Sequence, residues 1–559
     1  MSSFVNLFFR SNKTAFACCL SFACLCGAVF RFEQWFDFFN YHYYNVWAFF
    51  NGRNDIDVAP AFINTFFSPF ADIPVYGLIN ALNDNPVVFS AVMAVPYGLM
   101  LFIVYKTAAI FFSPDDRNGR VKIIMTLLLC VCSTNIASQI STTTNDLTLS
   151  VFVLAAGYLL LKAPPPPLFT KTCLAAGFLL GAAAGLKLTF CPYAAAAGMT
   201  LTLFYKQLKN PLKTIFLFSA AVLTGFLITY GYWGWILWKN YQNPVFPFFN
   251  SVFHSPYWQG EDYKDVRYFD KSITVLFFYP FLMFCNVGSE IPLVSILNFS
   301  YLRYPVAYVA FICFTAVFLK SKRRFPPDFS GFSFLTLWLC LVYVLWLFFY
   351  RVDRYLIPFE ALLSIVLIRY FFKEEELSLK NKKVKLFLIF IFIVSLFLPF
   401  SNYRRPASEP LLPVRRALLP KDSLLLIAGS PAAIFVPLLV SGPTTRAIIH
   451  PDHRAPINGS DFYTSGFFNE KRYDILIPAL EKPEKNIFIL AAFPENYYET
   501  HLKHSMFSKH TAFSKYTAFS RDFSCEKIHR TSFKISFYLC LLAPNNIHLD
   551  NPAFLEQNK

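Results

Sequence analysis

The chain has 559 residues, a formal net charge of +16 and a mean hydropathy of +0.43. Only 15% of its residues are charged, against roughly 25% in soluble domains, so the composition excludes an ordinary soluble protein. Nucleic-acid binding is not predicted either, because much of the Lys and Arg lies in short loops between long apolar segments. Such segments are typical of membrane-spanning helices, since a helix satisfies its own backbone hydrogen bonds in lipid.

The apolar segments predict a polytopic α-helical membrane fold with about eleven spans. These spans are Thr14–Phe30, Val87–Phe112, Lys122–Ile140, Leu147–Leu161, Thr172–Phe190, Pro192–Tyr205, Thr214–Leu237, Pro305–Leu319, Phe332–Phe349, Leu356–Phe372 and Leu386–Phe400. The first span has the position of a signal peptide, but no convincing cleavage site follows it, so we interpret it as a membrane helix.

Basic residues form groups beside these spans and set the predicted topology. The groups are Arg10 with Lys13; Arg117, Arg120 and Lys122; Lys162 with Lys171; Lys206, Lys209 and Lys213; Lys320, Lys322, Arg323 and Arg324; and Lys380, Lys382, Lys383 and Lys385. All of them are cytoplasmic only if the number of spans is odd and the N-terminus is cytoplasmic. The apolar stretch Ile273–Cys285 would break this pattern if it crossed, so we interpret it as a helix on the outer interface.

This topology places three large segments on the outer face: Arg31–Pro86, Trp238–Tyr304 and residues 401–559. We therefore predict a transmembrane module, residues 1–400, that carries the first two segments as loops, followed by an extracytoplasmic domain, residues 401–559. The protein is predicted to lie in the inner (cytoplasmic) membrane. Because its non-membrane mass is on the outer face, its function is expected there.

The C-terminal domain is predicted to have an α/β fold. Short apolar runs predict buried strands, and helices such as Arg472–Glu481 are expected between them. The runs are Ser423–Gly429, Ala447–His450 and Asn486–Ala491. Cys525 and Cys540 flank a basic stretch and an apolar strand; they either form a disulfide that closes a hairpin or remain two free thiols. No CxxC pair occurs, so a zinc or redox site is not predicted.

Asp37 lies shortly after the first span in the aromatic sequence RFEQWFDFFNYHYYNVW. Glu33 precedes it by one helical turn, and His42 and Tyr44 follow it. A carboxylate near hydrocarbon is costly to ionise, so its presence calls for a reason. One interpretation is a general base with a raised pKa in an aromatic-walled cleft. The other is the cap of an interfacial helix, and this loop alone supports both equally.

The second outer loop, STTTNDLTLS, contains Asp146, the only charged residue between Lys122 and Lys162. Asn145 or Asp146 is expected to cap the next helix by accepting hydrogen bonds from its free amides. A second interpretation adds that Asp146 faces the same cleft as Asp37 and positions the acceptor or the base.

Lys187 lies near the outer end of the fifth predicted span. It either extends to the interface as a snorkelling side chain or offers a cation to an anionic lipid head group. Before it, Gly177, Gly181 and Gly185 recur at four-residue spacing, which predicts a helix face that packs closely on a neighbour.

The sequence FFYRVDRYLIPFE places Arg351 and Arg354 at an outer membrane edge. They share a face if the segment is helical, and guanidinium groups suit phosphate. The alternative is interfacial anchoring with a local pair to Asp353. Glu360 follows inside the next span, where pairing with an Arg or Lys is expected.

This layout resembles the GT-C superfamily of glycosyltransferases, which includes protein O-mannosyltransferases and aminoarabinose transferases. The strings WFDFFNYHYYNVWAFFNGR, STTTNDLTL, GLKLT, NPVFPFFNSVFHSPY and YRVDRYLIP resemble a bacterial group of such proteins. The resemblance covers roughly residues 14–400. It implies transfer of a sugar from a polyprenyl-phosphate donor to an acceptor hydroxyl of a lipid, glycan or protein, with inversion at the anomeric carbon.

The resemblance also implies roles for single residues. Asp37 would deprotonate the acceptor, Asp146 would match a second acid, and Arg351, Arg354 and Lys187 would hold the donor phosphate. The remaining candidate substrate-binding residues are Glu33, His42, Tyr44 and Glu360. No cofactor is predicted. A requirement for a divalent metal is left open, because no cluster of ligand residues supports it. Asp37 has no acidic neighbour, since Phe36 and Phe38 flank it, and an Asp-x-Asp motif occurs only at Asp55–Asp57.

Two other functions fit the composition. One is a transporter or flippase of a lipid-linked sugar, which would show inverted repeats and charges near the membrane midplane. The chain shows no internal repeat, and its clear charges lie at outer helix ends. The other is a non-catalytic partner in envelope polysaccharide assembly. The large first loop with an isolated acid favours the enzyme.

Overall fold

A computed structural model of the chain describes residues 2–32, 36–162, 169–208, 210–258, 272–285, 302–309, 330–372, 418–427, 431–440, 442–449, 486–494, 523–530 and 535–542, with a few isolated positions between them. The chain forms two compact units. The first consists of Met1–Arg31, Ser90–Tyr232 and Lys264–Ser401. The second consists of Phe32–Phe89, Trp233–Tyr263 and Asn402–Lys559.

The described part of the first unit is helical. Its helices, some of which run on into the second unit, are Ser2–Phe9, Asn12–Phe30, Pro86–Met93, Val95–Phe111, Arg117–Val131, Thr134–Ser138, Asp146–Lys162, Phe169–Leu186, Cys191–Leu203, Pro211–Tyr241, Ile273–Phe284, 303–309, Gly331–Phe349 and Ile357–Phe371. Among the described residues, four segments are long and apolar enough to cross a membrane: Asn12–Phe30, Pro86–Phe111, Pro211–Tyr241 and Gly331–Phe349.

Most predicted spans correspond to a described helix whose ends differ by a few residues. The prediction of one helix over Lys122–Ile140 is wrong, because the helix ends at Val131 and the Ser133 hydroxyl caps a separate short helix, Thr134–Ser138. Pro305–Leu319 is described mainly over residues 305–309, which are helical, and most of Leu386–Phe400 lies outside the described residues.

The stretch interpreted as interfacial forms the helix Ile273–Phe284, which has 12 residues. At about 1.5 Å per residue its length is about 18 Å, well short of the roughly 30 Å hydrocarbon core. This length agrees with the interpretation that the stretch does not span the membrane.

The predicted glycine face is confirmed by close packing of two helices. A Cβ atom at Gly177, Gly181 or Gly185 would overlap backbone oxygens of the helix Pro211–Tyr241, and at Gly181 the overlap is with the Val222 carbonyl. Backbone cannot move aside as a flexible side chain can. The small residues therefore let the two helices approach closely, as in other membrane helix pairs.

We expect Gly181→Leu to destabilise the first unit by about 2 kcal/mol, the usual cost of forcing extra volume into a packed interface. Leu is a good helix former, so the loss would come from packing rather than from local helix propensity. Thermal unfolding in detergent measures it. Gly231→Ala is the control, because a Cβ there meets only ordinary contacts at 3.9 Å. Equal melting temperatures for Gly181→Leu and the wild type would contradict the prediction.

The described part of the second unit contains a mixed five-stranded sheet of order β2-β1-β3-β5-β4. Its strands are β1 (Leu424–Ile427), β2 (Arg446–Ile449), β3 (Ile487–Pro494), β4 (Phe523–Arg530) and β5 (Ile535–Leu542). β1 is parallel to β2 and to β3, and β5 is antiparallel to β3 and to β4. The three predicted apolar runs are strands, and the predicted α/β fold is confirmed. The predicted helix Arg472–Glu481 lies outside the described residues.

Segments predicted as outer loops belong to the same unit as this sheet. In the first loop, Val58 forms a parallel bridge with Ile448 of β2, and its backbone N–H donates to the Ala447 oxygen at 2.9 Å. The Arg53 guanidinium donates to the carbonyl oxygens of Gly442 and Thr445 at 2.8 and 2.6 Å. Residues 32–89 are thus attached to the edge of the sheet by backbone pairing and by a buried cation.

The predicted hairpin of Cys525 and Cys540 is present as β4 and β5, and the two residues are direct partners in its register. Opposed residues of an antiparallel pair have Cα atoms about 4.5–5.5 Å apart, within the range of about 4.4–6.8 Å that a disulfide spans. The backbone register therefore permits the disulfide, which stays a prediction.

Candidate active site

Asp146 is the first residue of the helix Asp146–Lys162, and its side chain is fully buried in the first unit. The polar turn before it folds on itself: the Thr144 hydroxyl donates to the Gln139 side chain, and Asn145 has a φ of 62°. Asn tolerates this left-handed conformation better than most residues do. The turn thus places the Asp146 carboxylate at a helix N-terminus, where the helix dipole stabilises negative charge.

Two cations converge on this carboxylate. The Lys187 Nζ donates to Asp146 Oδ1 at 2.5 Å and to the Thr144 carbonyl oxygen at 2.9 Å. The Arg354 Nε lies 3.6 Å from Asp146 Oδ2, which is an ion-pair distance. The structure therefore brings together three residues that the sequence suggested separately.

Tyr355 completes this cluster, which we call the Asp146 cluster: Asp146, Lys187, Arg354 and Tyr355. The Lys187 Nζ and the Arg354 guanidinium lie 5.2 and 5.6 Å from the centre of the Tyr355 ring. A ring face attracts a cation electrostatically, so Tyr355 helps to hold both. Sequence reasoning missed Tyr355, although the string YRVDRYLIP contains it.

Within the described residues, the two cations of the Asp146 cluster are more accessible than its carboxylate. Two cations surround one carboxylate, and Asp146 is fully buried while the Lys187 and Arg354 side chains are 18% and 24% exposed. The positively charged groups are therefore on the accessible side of the cluster. Such an arrangement can accept an anion, and guanidinium and ammonium groups suit phosphate oxygens.

Glu360 pairs with a cation, as its position in a span predicted, but this cation is Arg303, at 3.2 Å. Three further donors reach its carboxylate: Asn135 at 2.8 Å, and Ser133 and Tyr304 each at 2.5 Å. Glu360 is 1% exposed. Its role in substrate binding stays a prediction.

Arg351 is arranged differently from Arg354. Its φ of 52° falls outside helical conformations, and a 3₁₀ helix begins only at Asp353, so the two arginines do not share one helix face as a helical segment would require. Arg351 is buried; its Nε donates to the Leu347 oxygen at 2.8 Å, and its guanidinium lies 5.9 Å from the Tyr279 ring centre.

Asp37, His42 and Tyr44 belong to the second unit. Asp37 is 8% exposed and directly precedes a π-helix, Phe38–His42, whose residues are all buried. Short π-helical segments occur frequently at functional sites. Phe38 and Phe39, which follow Asp37 in the chain, are fully buried. Glu33 lies outside the described residues.

His42 forms a buried pair with Asp72, whose Oδ1 lies 2.7 Å from His42 Nδ1. Within the described part of the chain, the buried His42 Nε2 has no hydrogen-bond partner. Sequence reasoning missed Asp72, because its position before the helix Ile73–Leu82 indicates at most a helix cap. An Asp that binds one ring nitrogen orients the imidazole and leaves the other nitrogen to a ligand.

Tyr44 donates to Asp57 Oδ2 at 2.9 Å, and Asp57 is the second residue of the only Asp-x-Asp motif. Asp57 is buried against Arg53, whereas Asp55 is exposed, so the two carboxylates are placed differently. Burial raises the pKa of Asp57, while Arg53 and the hydrogen bonds oppose this. In the described ranges, no group of three or more His, Cys, Asp or Glu side chains is arranged to hold a metal ion.

Comparison with known proteins gives a partial match to one family model and a shared fold. The family model described as "Glycosyltransferase family 87" matches residues 60–267, which is less than half of the chain. ArnT from Cupriavidus metallidurans bound to undecaprenyl phosphate has 12% identity and a TM-score of 0.50, with 95% of this chain and 98% of that chain covered.

The same protein in the apo state has 11% identity and a TM-score of 0.54, with 96% of this chain and 100% of that chain covered. None of the curated proteins matches the chain. At this identity the structural likeness shows the fold. The chain therefore has the fold of the GT-C glycosyltransferase ArnT, as its resemblance to that superfamily predicted, and its residues 60–267 match glycosyltransferase family 87.

Proposed function

We propose that the protein is a membrane glycosyltransferase that takes a sugar from a polyprenyl-phosphate donor and transfers it to an acceptor hydroxyl. The observation that carries this proposal is the Asp146 cluster, in which two partly exposed cations lie beside one buried carboxylate. The family match and the ArnT fold, one example of which binds undecaprenyl phosphate, support the same chemistry.

In the proposed reaction, Lys187 and Arg354 hold the donor phosphate. The bond between the anomeric carbon and the phosphate oxygen breaks, and the polyprenyl phosphate leaves with its negative charge facing these cations. The acceptor oxygen forms the new bond to the anomeric carbon and gives its proton to a general base, the role that the resemblance to GT-C enzymes implies for Asp37. A single displacement of this kind inverts the anomeric centre and transfers a hexosyl or pentosyl group.

The proposed site of action is the outer face of the inner membrane. The positive-inside pattern of the sequence supports a cytoplasmic N-terminus and an extracytoplasmic C-terminal domain. The proposed role is in the synthesis of an envelope glycan, glycolipid or glycoprotein, which are the acceptors available on that face.

The direct test supplies the purified full-length protein with a panel of radiolabelled polyprenyl-phosphate sugars and with membrane extract as the source of acceptors. Transfer of label from one of these donors, with release of polyprenyl phosphate, is the expected result. If no donor of the panel is consumed while the protein remains folded, the proposed donor class is wrong.

We expect Lys187→Met to weaken donor binding, because it removes the ammonium and leaves Asp146 buried without its closest cation. Loss of a hydrogen bond to a charged group costs about 1.5–3 kcal/mol, which corresponds to a rise in the donor KM of about tenfold or more. Lys206→Met is the matched control, since Lys206 is exposed on the same unit. A donor KM that changes equally in both variants would remove Lys187 from the phosphate site.

A further inference from the structure

Glu360 is surrounded by donors from the protein itself. Its Oε1 accepts from Asn135 and Tyr304, and its Oε2 accepts from Ser133 and pairs with Arg303. These four partners and the 1% exposure of the residue leave little capacity for a substrate hydrogen bond. A buried carboxylate satisfied in this way holds its neighbours in one arrangement.

Asn135 links Glu360 to the turn that contains Arg354. Its side-chain Nδ2 donates to Glu360 Oε1 at 2.8 Å and also to the backbone oxygen of Asp353 at 2.9 Å. An amide NH₂ has two hydrogens, so one side chain can make both bonds. Glu360 therefore fixes the orientation in which Asn135 holds the residue immediately before Arg354.

Two other side chains bind the same turn, one on each side of the hydrogen bond from Asn135 to Asp353. The Trp346 Nε1 donates to the Val352 oxygen at 2.7 Å, and the Tyr193 hydroxyl donates to the Tyr355 oxygen at 2.7 Å. Three buried or half-buried side chains thus bind three backbone oxygens of residues 352–355. Because this segment is short 3₁₀ helix with few bonds of its own, these side chains define its geometry.

We propose that Asn135 and Glu360 are positioning residues that place the Arg354 guanidinium for the donor phosphate. This inference rests on the proposed function, because it takes Arg354 as a phosphate ligand. Arg354 lies 3.6 Å from Asp146, which belongs to another helix, and a shift of the turn would move the guanidinium away from that carboxylate. A cation held in place before binding loses less conformational entropy when the phosphate arrives.

The test measures the affinity of the full-length protein in detergent for undecaprenyl phosphate, with undecaprenol as the control ligand without phosphate. We expect Asn135→Ala and Arg354→Ala each to weaken undecaprenyl phosphate binding about tenfold, the scale of one charge-assisted hydrogen bond, and to leave undecaprenol binding unchanged. The double variant should bind no more weakly than Arg354→Ala alone, because the two residues act through one contact.

Ser138→Ala is the matched control: it lies on the same short helix as Asn135, and its hydroxyl donates to the Asn135 backbone oxygen. We expect wild-type affinity for it. If Asn135→Ala does not fold, Asn135→Ser, which keeps one donor, replaces it in the same cycle. Effects of Asn135 and Arg354 that multiply in the double variant would overturn the positioning role. The positioning role would also be overturned if the Asn135 variant kept its affinity for undecaprenyl phosphate while Arg354→Ala lost affinity. If Arg354→Ala itself binds normally, the proposed phosphate site is wrong.

Discussion

Replacement of Asp37 by asparagine is expected to lower sugar transfer by about 100-fold to 10,000-fold, the usual contribution of a general base. Asparagine has nearly the same volume as aspartate but cannot accept the acceptor proton. Asp37 is 8% exposed and precedes the buried π-helix Phe38–His42, so an isosteric change should leave the packing of that segment intact. The measurement is the rate of label transfer at saturating donor, together with the melting temperature.

Asp55→Asn provides the control for this prediction. Asp55 belongs to the same unit and is exposed, and it accepts a hydrogen bond from the Asn240 side chain at 2.5 Å. We expect this variant to keep its activity, because losing an exposed charge is usually a small perturbation. Full activity of Asp37→Asn would refute the catalytic assignment, and an equal loss in Asp55→Asn would show that the assay responds to any lost carboxylate of this loop.

Removal of Arg53 is expected to destabilise the second unit by about 3–5 kcal/mol, the cost of leaving one partner of a buried ion pair uncompensated. Arg53 binds both oxygens of Asp57 and two backbone oxygens, those of Gly442 and Thr445. Arg53→Ala would strand the Asp57 carboxylate and detach the first loop from the sheet. Thermal unfolding and limited proteolysis of the full chain measure this effect.

The same variant should show a defined pH dependence. Burial already raises the pKa of Asp57, and the opposing effect of Arg53 is lost in Arg53→Ala. The folded state then binds a proton that the unfolded state releases, so stability falls as pH rises from the unfolded value, about 3.9, through the higher folded pKa. Arg53→Ala should therefore lose less stability near pH 5 than near pH 8.

Arg446→Ala is the matched control for Arg53→Ala, since Arg446 begins β2 of the same unit but is exposed. We expect its stability to change by less than about 0.5 kcal/mol, as is usual for surface substitutions. A melting temperature of Arg53→Ala equal to that of Arg446→Ala at every pH would contradict the role assigned to the buried pair.

Much of the architecture follows from local sequence. Apolar runs predicted nearly all the described helices of the first unit, because lipid leaves the backbone few alternatives to a helix. Short apolar runs bounded by polar and Pro residues predicted β1, β2 and β3, and the spacing of Gly177, Gly181 and Gly185 predicted a close helix contact. In each case the signal lies within a few neighbouring residues.

The break at Ser133 shows where local sequence misleads. The apolar run ends near Cys132 and residues 133–139 are mostly polar, but the predicted span included them as one helix. In the structure the Ser133 hydroxyl caps the second helix, Thr134–Ser138, and donates to Glu360. The partner is 227 positions away, so no window of the sequence contains both groups.

The sequence by itself thus determined a polytopic helical fold, an α/β tail and a set of charged candidates. Only the tertiary structure joined Asp146 to Lys187, 41 positions away, and to Arg354, and joined Glu360 to Asn135. Hydropathy is a property of each residue alone. Each helix or strand must bury its own apolar surface wherever it lies, so this signal can be read from local sequence. An ion pair in a buried site depends on which helix ends meet, and this is set by the packing of the whole unit.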